Sequence, residues 1–292
     1  MMVTLKNEWL TVEIEDVGAQ LASITAKDGT QYLWQGDPDI WPRRAPLLFP
    51  VIGRLKDSQY LLEDETYTIP THGFCRDALF SVEQHSDTSV SFHLSDSEQT
   101  RAVYPFAFVL TVSYTLEENR LVKSHKVENR SQREMYFEVG GHDGFIAPLT
   151  AEEKMDDYAI RIPGLESIQF YPMNEDLMIV PKDTVYPLEN GRIPLKPSVY
   201  GQDTIILGEL PRNKAVLVDK QDRPRVTLEF EDFPYLGIWT QAKDFDTNYV
   251  CIEPWTTLPD ATFVGRGLKD KAGICTLAPG CSKTLAYTTT FE

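Results

Sequence analysis

The sequence predicts an all-β fold: a large antiparallel β-sandwich with few short helices. Apolar residues recur at every second position in several runs, which is the period of a strand with one buried face. The clearest run alternates small polar residues with apolar ones, at Phe108, Leu110, Val112, Tyr114 and Leu116. No segment carries the helical period of 3.6 residues for more than two or three turns. Many strands and few helices favour a sandwich over folds in which strands and helices alternate.

The elements follow in chain order from these runs and from the turns between them. Strands are predicted over residues 12–15, 89–94, 108–116, 226–230 and 285–288. Turn signals lie at Lys27-Asp28-Gly29, Glu118-Asn119 and Glu189-Asn190-Gly191. One short helix is predicted over residues 95–102, with Ser95 or Asp96 as its N-cap. Residues 151–200 carry six prolines and alternate weakly, so they form either a lid over a functional site or irregular strand connections.

Length and composition predict a single domain over residues 1–292. A chain of 33.2 kDa buries roughly 74% of its unfolded surface, which is ample for one large core. No internal repeat, low-complexity tract or Gly/Ser linker divides the sequence. The net charge is −16, from 28 Lys+Arg against 44 Asp+Glu. This charge disfavours binding to phosphate backbones and anionic membranes, so we expect neither a nucleic-acid nor a membrane partner.

The N-terminal segment and the cysteines predict a cytoplasmic protein. An acidic residue stands at Glu8, and no apolar h-region of a secretory signal follows. The four cysteines, Cys75, Cys251, Cys275 and Cys281, form no CxxC pair, so neither a zinc knuckle nor a redox motif is indicated. We expect all four to be small buried apolar residues in a reducing compartment.

The five histidines divide into two groups. His85 lies in a polar turn and His93 on the polar side of its strand, so both are expected to be exposed. His125 lies in a strand-like run, and the direction of its side chain is open. A structural role is favoured for these three. His72 and His142 are instead surrounded by glycine and aromatic residues.

Three segments carry the candidate chemistry. They are Thr71-His72-Gly73-Phe74-Cys75-Arg76, Gly140-Gly141-His142-Asp143-Gly144-Phe145 and Cys251-Ile252-Glu253-Pro254-Trp255. Glycine beside a functional side chain permits unusual backbone angles and close ligand approach. A carboxylate in an apolar strand is disfavoured as an ion and therefore needs a partner or a chemical role. From the residues alone, each of His72, His142 and Glu253 is either a packed structural group or a functional one.

Together with residues 44–55, these segments resemble the aldose 1-epimerase (galactose mutarotase-like) family, most closely its LacX-type branch. The first motif is Arg44-Ala45-Pro46-Leu47-Leu48-Phe49-Pro50-Val51-Ile52-Gly53-Arg54-Leu55, followed by His72-Gly73-Phe74 with Arg76-Asp77. Gly140-Gly141-His142 and Cys251-Ile252-Glu253-Pro254-Trp255 complete the order, so the resemblance covers nearly the whole chain. It implies a galactose mutarotase-like supersandwich and an isomerase that interconverts the α and β anomers of a hexose.

The resemblance also implies the roles of individual residues. His142 would be the acid toward the ring oxygen and Glu253 the base toward the anomeric hydroxyl. One acid and one base suffice for ring opening, so neither a cofactor nor a metal is expected. A histidine that titrates near neutrality suits this reversible role. Arg54, His72 and Asp203 would bind the sugar.

Two further features of the chain bear on the expected site. Trp239 and Trp255 either offer an aromatic face to the sugar or pack in the core. Many relatives carry Pro-Ala where this chain has Asp143-Gly144, and an Asp143 carboxylate close to His142 would favour the imidazolium.

Alternative functions remain open at this point. A hexose-6-phosphate 1-epimerase would need a cationic pocket, for which Arg44, Arg54 and Arg76 are candidates. A non-catalytic carbohydrate-binding module would keep the sugar contacts without needing the acid and the base. A metal enzyme using His72, His142 and Glu253 is disfavoured, because no His-x-Asp or His-x-Glu pair occurs among them. The expected partner is a small-molecule sugar, with a free hexose preferred, and no oligomeric state is predicted.

Overall fold

Antiparallel strands make up most of the computed structural model, which describes residues 1–181, 185–196, 204–241 and 247–292. One α-helix, α1 (Glu98–Val103), and four 3₁₀ turns accompany them in these ranges. The 3₁₀ turns are Lys56–Ser58, Cys75–Asp77, Met155–Asp157 and Leu268–Asp270. The strands are β1 (Met2–Lys6), β2 (Leu10–Glu15), β3 (Gln20–Ala26), β4 (Leu47–Leu48), β5 (Gln59–Leu62), β6 (Glu65–Thr68), β7 (Ser81–Ser86), β8 (Ser89–Ser95), β9 (Phe108–Glu117), β10 (Arg120–Asn129), β11 (Met135–Phe137), β12 (Gly140–Gly141), β13 (Asp143–Ile146), β14 (Ala159–Arg161), β15 (Ser167–Ile168), β16 (Tyr186–Pro187), β17 (Arg192–Pro194), β18 (Ile205–Gly208), β19 (Lys214–Val218), β20 (Pro224–Glu229), β21 (Tyr235–Trp239), β22 (Tyr249–Trp255), β23 (Cys275–Leu277) and β24 (Ser282–Phe291).

Two large sheets form the sandwich. The nine-stranded sheet has the order β17-β14-β19-β20-β24-β10-β9-β8-β7. The six-stranded sheet has the order β18-β21-β22-β12-β4, with β13 also paired to β22. One apolar cluster contains Leu110 and Leu228 from the first sheet and Phe145 and Val250 from the second. The two sheets therefore share one core, and the predicted antiparallel β-sandwich is confirmed.

The alternation seen in the sequence places the predicted residues in the core. Along β9 every second side chain is buried, from Phe108 to Leu116. The two-residue turn Glu118-Asn119 joins β9 to β10, with Glu117 paired to Arg120. Buried apolar positions on one face and half-buried polar positions on the other are the physical basis of this strand pair.

The helix begins later than the sequence predicts. Its N-cap is Ser97, whose hydroxyl accepts from the Thr100 main-chain N–H, while the Thr100 hydroxyl accepts from the Ser97 N–H. This reciprocal pair satisfies two helix-terminal donors. Asp96 is not the cap, because its carboxylate accepts from the Phe108 N–H at 3.0 Å.

The remaining predictions have mixed outcomes. Cys75, Cys251 and Cys275 are buried as expected, but Cys281 is exposed. His93 is half-buried and His85 exposed, while His125 is fully buried. The described residues of the Pro-rich stretch form the short strands β14 to β17, and residues 182–184 and 197–200 lie outside the described residues. Among the described helices, none has the length and apolar character needed to span a bilayer.

Candidate active site

A cleft of about 350 Å³ lies against the six-stranded sheet and contains four of the five predicted site residues. Arg54, His72, His142 and Glu253 all line it. Asp203 lies outside the described residues, although Thr204, the next residue, lines the cleft. The cleft falls within the size range of sites for small ligands.

Strand register brings His142 and Glu253 together. The segment β12–β13 runs antiparallel to β22, with Gly140 paired to Trp255 and Asp143 paired to Ile252. Both pairs belong to the same register, which sets His142 opposite Glu253 on one face of the sheet. Residues opposite each other on antiparallel strands bring their side chains into contact. His142 Nε2 accordingly lies 3.4 Å from Glu253 Oε1.

Both His142 and Glu253 are buried. His142 is 7% exposed and Glu253 is 1% exposed. Burial lowers the pKa of His142 to about 3, and the positive charges of Arg76 and Arg43 contribute in the same direction. The imidazole is therefore neutral at pH 7 in the substrate-free site. The expectation that this group titrates near neutrality does not hold for the substrate-free protein.

His72 is held in a strained backbone conformation. Its φ angle is +64°, which non-glycine residues rarely adopt and which is often found at functional sites. The Gly53 N–H donates to His72 Nδ1 at 3.1 Å, and the His72 N–H donates to the Gly53 carbonyl at 3.0 Å. Burial lowers the pKa of His72 well below its ordinary value, so the neutral ring keeps its proton on Nε2. The Nε2–H of His72 is therefore a hydrogen-bond donor.

The tight turn after His72 requires glycine. Gly73 has a φ of +74°, and a Cβ atom there would lie 2.1 Å from the Phe49 carbonyl oxygen. Gly73 and Phe49 form a parallel bridge that fixes the His72 segment against the residues following β4. The two sequence motifs around residues 44–55 and 72–74 thus meet in one wall of the cleft.

Three arginines line the cleft: Arg43, Arg54 and Arg76. Arg43 lies 2.9 Å from an Asp77 oxygen, and Arg76 Nε lies 3.7 Å from the same carboxylate. Burial lowers the pKa of Arg76, and the neighbouring charge of Arg43 adds to this effect. Arg44, a predicted candidate, instead contacts Glu15 and the Gln35 carbonyl outside the cleft.

Aromatic rings surround the imidazole of His142. The Trp41 ring stacks on it with centroids 5.2 Å apart, and Trp239 approaches edge-on at 5.5 Å. Both tryptophans line the cleft together with Trp255. The sequence indicated Trp239 and Trp255 but gave no motif for Trp41. Its position just before Arg43, outside any alternating run, was the available signal.

Asp143 points away from His142 and Glu253. Successive residues of a strand face opposite sides of the sheet, so Asp143 enters the core while His142 enters the cleft. Lys123 Nζ lies 3.1 Å from Asp143 Oδ1, and the Tyr287 hydroxyl donates to Asp143 Oδ2 at 2.6 Å. The condition under which Asp143 would favour the imidazolium, a carboxylate directed at His142, is therefore not met, and Lys123 contributes to the lowered pKa of His142.

One group of side chains in the described ranges has the composition of a metal site. Ligand atoms of His142, Cys251 and Glu253 all lie within 4.8 Å of one another. Cys251 stands two positions before Glu253 on β22, on the same face. Nitrogen, sulfur and carboxylate donors suit Zn²⁺, but burial raises the pKa of the Cys251 thiol well above its ordinary value. The expectation of no metal remains a prediction.

The aldose 1-epimerase family model matches residues 1–284 of the chain. The chain belongs to this family. It is 31% identical over 289 residues to the LacX protein of Lactococcus lactis subsp. lactis, covering 96% of this chain and 95% of that protein. The description of the family names an isomerase that acts on aldose sugars.

Two solved structures resemble the whole fold of this family member. A galactose mutarotase related enzyme from Lactobacillus acidophilus shares 34% identity at a TM-score of 0.94, over 100% of this chain and 97% of that chain. A galactose mutarotase-like protein from Lactobacillus casei shares 31% identity at a TM-score of 0.91, over 100% of both chains. The similarity supports a galactose mutarotase-like sandwich and a mutarotase-type function.

Proposed function

We propose that this protein is an aldose 1-epimerase that interconverts the α and β anomers of a free hexose, within a single domain of residues 1–292. The observation that supports this best is the contact of 3.4 Å between His142 Nε2 and Glu253 Oε1 in the cleft. A neighbouring imidazole and carboxylate provide one acid and one base, as ring opening requires. The sugar is the expected partner, and the cytoplasm remains the proposed location.

The reaction moves two protons and breaks one bond. Glu253 accepts the proton of the anomeric hydroxyl while His142 donates a proton to the ring oxygen. The bond between the anomeric carbon and the ring oxygen breaks, leaving an open-chain aldehyde. Rotation about the C1–C2 bond exposes the other face of the carbonyl, and reclosure with the two roles exchanged gives the other anomer. The pair returns to its starting protonation state, so no cofactor is consumed.

The buried pair must share one proton during this cycle. Burial disfavours an imidazolium in the substrate-free cleft, as the lowered pKa of His142 indicates. The donating form of His142 therefore depends on a negative charge close by, and Glu253 provides a carboxylate at 3.4 Å. Such coupled groups gain and lose protons as a pair.

The remaining cleft residues orient the sugar. We propose that Arg54 and the Nε2–H of His72 bind sugar oxygens, and that Asp203 does so as well. The rings of Trp41 and Trp239 offer flat apolar surface to the pyranose. Holding the hemiacetal between acid and base is itself a large contribution to rate.

The test is anomer exchange measured by magnetisation-transfer NMR on galactose and glucose in weak buffer. His142→Ala and Glu253→Gln are expected to lower the rate by roughly 10²–10⁴-fold, as loss of a general acid or base does. His85→Ala, an exposed histidine on β7, is the matched control and should keep the full rate. Exchange that persists in both site variants would contradict the proposed roles.

A phosphorylated hexose is the second candidate substrate, because three arginines line the cleft. Arg76 Nε is buried and makes no hydrogen bond within the described ranges, and its one ion pair there is the long contact of 3.7 Å to Asp77. Arginine is well suited to phosphate oxygens. The kcat/KM for glucose 6-phosphate relative to glucose decides between them. A ratio above one that collapses in Arg76→Gln would favour the phosphosugar, and a ratio below one the free hexose.

Two rival functions have distinct signatures in the same experiments. A carbohydrate-binding module would bind sugar in the wild type and in His142→Ala without any anomer exchange. A metal enzyme built on His142, Cys251 and Glu253 would purify with one equivalent of metal and lose its exchange activity on chelation. We expect neither result. The proposed acid–base pair predicts anomer exchange, and this pair needs no metal for the reaction.

A further inference from the structure

A buried ion pair lies on the core side of the strand segment that carries His142. The side chains of Lys123 and Asp143 are each 2% exposed, and both contact the Tyr287 side chain. Removing two charges from water is so unfavourable that an apolar pair of similar volume is often equally stable. The presence of this ion pair is therefore weak evidence of a role in stability.

One hydroxyl contacts both sequence neighbours of His142. The Tyr287 hydroxyl donates to Asp143 Oδ2 at 2.6 Å. The same oxygen would lie 2.2 Å from a Cβ atom at Gly141, so it packs directly against the main chain there. The chain is thus fixed immediately before and immediately after His142, which stands between these two contacts.

These contacts also join the two sheets of the sandwich. Lys123 on β10 and Tyr287 on β24 are directly paired within the nine-stranded sheet. Asp143 on β13 is paired with Ile252, the residue before Glu253, in the six-stranded sheet. The position of His142 relative to Glu253 therefore depends on how firmly Asp143 is held from the opposite sheet.

We propose that Tyr287, Asp143 and Lys123 are positioning residues that hold the main chain of His142 so that its imidazole meets the sugar and Glu253 in the reacting geometry. The inference rests on the proposed function, because it concerns the rate of the same proton transfers. None of these three side chains lines the cleft, so they act through His142. A small displacement of a catalytic group is enough to cost a large part of the rate.

The test compares two buried tyrosines. Tyr287 and Tyr114 both have Lys123 Nζ near their rings, at 5.6 and 5.7 Å, and both hydroxyls donate a hydrogen bond. Only the Tyr287 hydroxyl contacts the neighbours of His142, since that of Tyr114 donates to the Ala19 carbonyl at 2.7 Å. We expect Tyr287→Phe to lower kcat at least ~10-fold with KM within about twofold, and Tyr114→Phe to keep both within about twofold. Equal kcat values for the two folded variants overturn the inference.

A second variant covers the case in which Tyr287→Phe does not fold. Lys123→Met combined with Asp143→Leu replaces the ion pair by apolar side chains, a change that buried ion pairs often tolerate. Its kcat per folded molecule, with folding checked by urea denaturation, should fall at least ~10-fold at little-changed KM. An unchanged kcat overturns the inference.

The activity of the wild type distinguishes failure of the proposed function from failure of the positioning role. A wild-type protein without exchange on any sugar overturns the proposed function itself. Wild-type exchange together with full kcat in Tyr287→Phe or in the double variant overturns only the positioning role. A purely structural role would lower the free energy of unfolding and the folded fraction, but not kcat per folded molecule.

Discussion

A buried histidine outside the cleft makes the fold sensitive to acid, and the size of the effect can be calculated. His125 on β10 is fully buried, and its ring stacks on Tyr287 with centroids 5.9 Å apart. Burial lowers its pKa from 6.5 to about 3, and the charge of Lys123 adds to this shift. The unfolded chain therefore binds a proton below pH 6.5 that the folded protein excludes until about pH 3. The contribution of neutral His125 to the free energy of unfolding is fully present above pH 6.5. It is lost progressively as the pH falls from 6.5 to about 3.

The magnitude follows from the two pKa values. At pH 4.5 the unfolded chain is two pH units below its pKa, so protonation lowers the free energy of unfolding by about 3 kcal/mol. His125→Phe keeps a flat ring at the site and removes the titrating group. Between pH 7.5 and pH 4.5, the variant should therefore lose about 3 kcal/mol less stability than the wild type.

Urea denaturation at the two pH values measures this difference, since the free energy of unfolding extrapolates linearly in denaturant. His85→Asn is the control for loss of any histidine. Its side chain reaches solvent, so it should follow the wild-type pH dependence. If His125→Phe and the wild type lose the same free energy over this interval, the assigned buried neutral state of His125 is wrong.

Three further predictions concern the site and its supports. Because the pKa of His142 lies at about 3, the kcat/KM profile for anomer exchange should show no inflection near pH 6.5, and an inflection there that vanishes in His142→Ala would refute this. Gly73→Ala should destabilise the fold by about 3 kcal/mol in urea, because its φ is +74° and the new Cβ meets a main-chain carbonyl. Lys271→Met should cost about 3–5 kcal/mol by leaving buried Glu138 without its ion pair at 2.9 Å, whereas exposed Lys269→Met should cost little; similar losses for both would contradict this.

The fold was predictable because local pattern and tertiary burial agree along the long strands. In β9 the alternation in sequence is the alternation in burial, and the turn at Glu118-Asn119 has the length that a hairpin needs. The short helix was harder to place, since Ser95, Asp96 and Ser97 are all acceptable caps. Only the hydrogen bond from the Phe108 N–H to the Asp96 carboxylate shows that Asp96 binds a residue outside the helix and is not its cap.

The sequence predicted which residues line the cleft better than it predicted which way their side chains point. The motifs identified Arg54, His72, His142 and Glu253, all of which line the cleft. They did not show that Asp143 faces the core, because a single short segment rich in glycine does not reveal that it is a strand. Once the strand is known, alternation of side chains settles the point.

The roles of Arg43 and Trp41 could not be predicted from the local sequence. Arg43 and Arg44 are adjacent, yet only Arg43 lines the cleft, while Arg44 contacts Glu15 on β2. That choice depends on a distant partner and not on the local sequence. Trp41 likewise gains its role from stacking on His142, which is 101 positions away in the chain (142 − 41).

The contact between His142 and Glu253, the proposed acid and base, likewise depends on tertiary structure. A β-sheet can bring together residues that are far apart in the sequence. His142 and Glu253 are 111 positions apart (253 − 142), so no spacing rule relates them. Their contact follows from two ladder pairs, Gly140 with Trp255 and Asp143 with Ile252, which fix the register on both sides. A slip of one residue would turn one side chain to the core. The register therefore keeps His142 beside Glu253, and under the proposed function we expect buried contacts that resist such a slip to support catalysis without touching the sugar.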